Sequence, residues 1–121
     1  MSHSVVWSGR SGTVYSFVAQ PLEEPVGDEG GVYILARRDR SHDGWVAICV
    51  GETTRFAEFL AAHPKRQCAR DHAATHLHVL AQADESDWRA IVRDLIARWH
   101  PPCNQTLVDA DTLRDHVFMS G

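Results

Sequence analysis

Two short runs, Gly31-Val32-Tyr33-Ile34-Leu35 and Trp45-Val46-Ala47-Ile48-Cys49-Val50, constrain this chain more than any other feature. Both are rich in β-branched and aromatic side chains, which fit a pleated, packed surface. The polar stretch from Asp39 to Gly44 suits a hairpin loop, so the two runs are expected to pair as core strands. His76-Leu77-His78-Val79-Leu80 reads as a further strand. From Ser86 the period changes: Trp88, Ile91, Val92, Leu95, Ile96 and Trp99 recur at spacings of three and four, while Arg89, Arg93, Asp94 and Arg98 fall on the other side. That is an amphipathic helix, ended by Pro101 and Pro102.

The flanking segments are weaker. Val5 to Trp7 and Thr13 to Val18 suggest a hairpin turning through Ser8 to Gly12, and residues 20–30, with Pro21, Pro25, Gly27, Gly30 and four acids, suggest an irregular connection. Thr53 or Thr54 is placed to cap a helix reaching Ala62, stopped before Pro64, with a short helix from Lys65 to Asp71 after it. Asp111 is placed to cap a closing helix carrying Leu113, Val117 and Phe118. The expected class is α/β (α+β): a central three-stranded, mostly antiparallel sheet flanked by helices, with an N-terminal hairpin and a C-terminal helix added. The corresponding divisions are 1–30, 31–104 and 105–121, within one compact domain.

A chain of 121 residues can hold one modest core without staples. No run approaches the ~18 apolar residues of a membrane span, and the first ten residues lack a basic segment followed by an apolar stretch. Cys49, Cys68 and Cys103 include no C-x-x-C pair, which points to reduced thiols and a cytoplasmic location. The net charge is −4, yet residues 31–104 hold ten Lys/Arg against nine Asp/Glu, so the excess acid lies at the two ends. Short basic clusters (Arg37, Arg38, Arg40; Lys65, Arg66, Arg70) offer local phosphate contacts without the broad basic face of a dedicated nucleic-acid binder.

The order of elements, with Gly31-Val32-Tyr33, then Cys49-Val50-Gly51 followed by Glu52-Thr53, then Leu60 and His63, then Thr75-His76-Leu77-His78, then Asp94-Leu95-Ile96 and Pro101-Pro102-Cys103-Asn104, resembles the small domain of the GIY-YIG nuclease superfamily, in its short bacterial form. The resemblance covers residues 31–104. It implies phosphodiester cleavage: a tyrosine near an attacking water, an arginine and a second tyrosine on the phosphate, and a glutamate holding one divalent metal. Each role meets a physical need, because the metal polarises the phosphate, a cation offsets developing charge, and a phenol orients the water.

Carried over position by position, Tyr33 stands at the first tyrosine and Asn104 at the terminal asparagine. The second tyrosine falls on Cys49, the helix arginine on Phe59, and the metal-binding glutamate on Val92. Phenylalanine offsets no phosphate charge, and valine has no oxygen for a hard cation such as magnesium. Arg55, one helical turn before Phe59, is the nearest replacement cation, and Glu52 and Glu58 are the nearest carboxylates. The candidate catalytic set is therefore Tyr33, Arg55, His63 and Asn104, and Lys65 and Arg66 are the candidate phosphate contacts.

Two other groups bear on chemistry. Cys68, His72, His76 and His78 are metal-capable donors, with the first two one helical turn apart and the last two on one side of a strand. Their spacing matches no common zinc pattern, so no metal or other cofactor is expected unless the chain is an active nuclease using magnesium or manganese. Cys49 sits in an apolar strand and reads as a buried thiol, and Trp88 and Trp99 read as core. The expected function is a nuclease-like domain that has lost cleavage and binds a protein or nucleic-acid partner; the alternative is a divergent metal-dependent endonuclease acting on DNA or RNA. The negative charge and acidic ends favour a protein partner.

Overall fold

A computed structural model describes residues 3–39, 44–57, 66–81 and 84–104. The described elements are β1 (His3–Ser8), β2 (Val14–Pro21), β3 (Gly31–Asp39), β4 (Gly44–Thr53), α1 (Arg66–Asp71), β5 (His76–Leu80) and α2 (Glu85–Trp99), with further helical residues at 56–57 and 102–104. The strands form one sheet in the order β1-β2-β5-β3-β4, antiparallel at every pairing.

The sheet therefore has five strands where three were expected. The added hairpin continues the same sheet, because β2 runs on to Pro21 and pairs with β5 from Val18↔Val79 to Pro21↔His76. Proline is tolerated there since it closes the strand, where one missing N–H breaks no central ladder. β5 thus lies between β2 and β3, with both of its edges paired. The sheet is strongly curled: His3 on β1 stacks with Trp45 on β4 at 6.2 Å between ring centroids, although these strands end opposite edges of the order. The closing helix expected from Asp111, and the part of the Thr53–Ala62 helix beyond Ala57, lie outside the described residues.

Both faces of the central strands are covered, which explains their continuous apolar character. On one face Trp7, Phe17, Val32, Ile34, Ala36, Ala47 and Val50 meet Trp88, Ile91 and Leu95 of α2. On the other, Tyr33, Leu35, Ile48, Cys49 and Leu77 meet Phe56, Ala69 and Cys103. Strand alternation assigns neighbours to opposite faces, and one bulge breaks the rule. The register passes from Leu35↔Cys49 to Ala36↔Ala47, so Ile48 is the extra residue and joins Cys49 on the second face. Each fully buried aliphatic chain, such as Ile34, Leu77 or Leu95, contributes roughly 1.5–3 kcal/mol.

α2 begins after Asp84, carries Glu85 and Asp87 in its first turn and Arg98 in its last, and ends at His100 in the left-handed region (φ 48°). The charges complement the helix dipole at both ends. Asp94, on the exposed side of α2, fastens the β1–β2 turn: its carboxylate accepts from Ser11 N–H (2.8 Å), Ser11 Oγ (2.7 Å) and Tyr15 OH (2.6 Å). The Tyr15 bond, followed by those from Ser11, holds this carboxyl below the usual range.

Candidate functional site

Tyr33 and Asn104, the two retained positions of the resemblance, converge on Cys49-Val50-Gly51 from different directions. Tyr33 reaches it across the sheet face. Its register partner is Gly51, and a β-carbon there would stand 2.6 Å from Tyr33 Cζ, so glycine is what lets the phenol ring lie down against β4. The hydroxyl bonds to Cys49, and burial, then Cys49, push the phenol above its ordinary pKa. Only 6% of Tyr33 is exposed, so its ring and hydroxyl lie inside the core.

Asn104 reaches the tripeptide from the edge. β4 ends the sheet, and at Val50 its outward N–H and C=O are both met by one amide: Val50 N–H donates to Asn104 Oδ1 (2.7 Å), and Asn104 Nδ2 donates to Val50 O (2.8 Å). The side chain imitates a sixth strand for one residue, which buried backbone groups require.

Arg55 is engaged elsewhere, since Nη2 and Nε both donate to Asp28 Oδ1 (2.9 and 3.1 Å), tying the 22–30 connection to the start of the next segment. The side chains are 51% and 71% exposed, so solvent screens the pair. Asp28→Ala is expected to change unfolding free energy by less than about 0.5 kcal/mol in a chemical melt. Val92 packs against the core layer of α2, on the sheet face opposite Tyr33. Arg66 opens α1, while His63, Lys65, Phe59 and Glu58 lie outside the described residues.

The four metal-capable donors are divided by the sheet. His76 and His78 share a face, as expected, but it is the face of Trp7 and Trp45. His78 is fully buried, its Nδ1 accepts from Trp7 Nε1 (2.9 Å), and Trp45 meets it edge-on at 4.6 Å. This fixes the neutral tautomer with the proton on Nε2, which is buried with no hydrogen-bond partner. Burial, then His76, His3 and Arg38, carry the His78 pKa down to about 3. His76 is shifted the same way by burial, then by Arg38 and His3.

Cys68 and His72 lie beyond the opposite face, with Cys103 in the place the two strand histidines were expected to take. Cys68 and Cys103 form a disulfide, Cα to Cα 5.8 Å, which corrects the expectation of three reduced thiols; Cys49 lies outside the disulfide and is buried. A 35-residue separation without motif spacing left no sequence signal for this pair. His72 Nδ1 lies 3.8 Å from Cys68 Sγ and 3.0 Å from Cys68 O. Donor atoms of Cys68, His72 and Cys103 all fall within 4.8 Å of one another.

Among the described residues no helix is long and apolar enough to cross a membrane. No family model, no curated protein and no solved structure matches this chain.

Proposed function

We propose that this chain is a GIY-YIG-like domain without nuclease activity that serves as a binding module. Support for the likeness comes from β3 lying between β4 and β5, with the two tripeptides, Gly31 to Tyr33 and Cys49 to Gly51, on paired strands in register. The loss of cleavage rests on one observation: the polar groups at the second tripeptide are consumed by the fold. Tyr33 is buried against Cys49, and both hydrogen-bonding groups of the Asn104 amide are held by Val50. Neither is left to orient a water or steady a phosphate.

A protein partner fits the exposed surface better than a phosphate backbone. Val6, Val14 and Val18 are 63%, 62% and 44% exposed on the outer side of the β1–β2 hairpin. Across the ladder they pair with Ser16, Ser8 and Ser4, so this side is apolar and uncharged. Such a face suits an interface whose strength changes little with salt, whereas phosphate binding weakens steeply as salt rises.

Supercoiled plasmid, single-stranded DNA and RNA, each with magnesium or manganese, are expected to remain intact on incubation with the protein. Metal-dependent cutting that disappears in Tyr33→Phe would establish the endonuclease reading instead.

A further inference from the structure

We propose that Cys68, His72 and Cys103 form a zinc site when the disulfide is reduced, so that one cluster tethers the chain covalently in one redox state and through a metal in the other. This is independent of the binding-module reading, since it concerns the far side of the second core layer.

Cys68 and His72 are four apart, at α1 and the residue after it, so their donors project over one turn. Cys103 is brought to them by the helical residues 102–104. In a tetrahedral site with Zn–S about 2.3 Å and Zn–N about 2.0–2.1 Å, neighbouring donors stand roughly 3.6–3.8 Å apart. The Cys68 Sγ to His72 Nδ1 distance of 3.8 Å is already at that spacing. Breaking the disulfide lets the two sulfurs separate to that spacing, His72 Nδ1 gives up its 3.0 Å contact with Cys68 O, and the His72 and Cys103 donors start within 4.8 Å of each other. His72 is exposed, Cys68 half-buried and Cys103 buried, so the open fourth position faces solvent and takes water.

The chemistry balances with a dithiol reductant. Two electrons and two protons from the reductant convert the disulfide to two thiols, the reductant becoming a disulfide. Zinc then replaces the two thiol protons, which leave to solvent, and the neutral imidazole of His72 completes the protein ligands. Two soft thiolates and an imidazole suit zinc and exclude magnesium and calcium. The tether matters because Cys103 adjoins Asn104, whose amide clamps the edge of β4. Reduction without metal frees that turn from α1, and zinc restores the connection.

The test uses the full chain, reduced without air and freed of reductant, and titrated with cobalt(II) as a spectroscopic substitute for zinc. One equivalent is expected to bind with thiolate-to-cobalt charge-transfer absorption, and zinc is expected to displace it. The oxidised protein is expected to show no such absorption. His72→Ala leaves the disulfide intact and alters an exposed residue, so it folds, and its cobalt affinity is expected to fall at least about tenfold. Failure of the reduced wild type to bind stoichiometric cobalt, or equal affinity in His72→Ala, overturns the proposal.

Discussion

Asn104→Ala is expected to lower the unfolding free energy by about 3 kcal/mol, since a buried donor and acceptor left without partners cost about 1–3 kcal/mol each. The groups concerned are the N–H and C=O of Val50, which is 2% exposed, so water cannot easily replace the amide. Asn104→Asp separates hydrogen bonding from shape. It preserves the acceptor for Val50 N–H but sets a carboxylate oxygen against Val50 O, and its charge is nine-tenths buried, so it is expected to destabilise at least as much as alanine near neutral pH. Urea melts of the three proteins check this. A loss below about 1 kcal/mol in Asn104→Ala would mean that the edge of β4 finds other partners.

The second large effect is in pH. His78 has a folded pKa depressed to about 3 from an ordinary value of 6.5, so protons bind the unfolded chain first. Its contribution is fully present above pH 6.5 and is lost as pH falls from there toward 3. At about 1.4 kcal/mol per unit, stability is expected to fall by about 2 kcal/mol between pH 7.5 and 5 through this residue alone. His78→Gln retains an oxygen to accept the Trp7 indole N–H and removes the titration. The difference between wild-type and His78→Gln stabilities is expected to shrink or reverse as acid is added. Parallel pH profiles would refute the assignment. His76, shifted in the same direction but partly exposed, remains in both proteins, so the comparison isolates the titration of His78 together with its coupling to His76.

How much of this was legible beforehand depended on whether a feature was local. Strand β5 was expected at His76–Leu80 and occurs there, because a five-residue alternation with turn signals is a local pattern. The helix expected from Ser86 begins one residue earlier, at Glu85, and buries Trp88, Ile91 and Leu95 as its period required. The pairing of β2 with β5 was not legible, since nothing in Val18 to Pro21 names a partner nearly sixty residues away. The same is true of the candidate sites. The helix pattern points to Arg55 through its spacing from Phe59, but only folding brings Asp28 to it. Spacing groups His78 with Cys68, and the sheet places them on opposite sides.

By itself the sequence determined the described core strands and α2 with their apolar faces, and that Val92 and Cys49 would serve packing. These follow from backbone preferences and periodicity, which act over a few residues. The tertiary structure alone decided which distant groups met: Asn104 with Val50, His78 with Trp7, Cys68 with Cys103. Each of these pairings satisfies polar or sulfur atoms across 35 to 71 residues of chain, and such matches exist only once the sheet has set its order and curl.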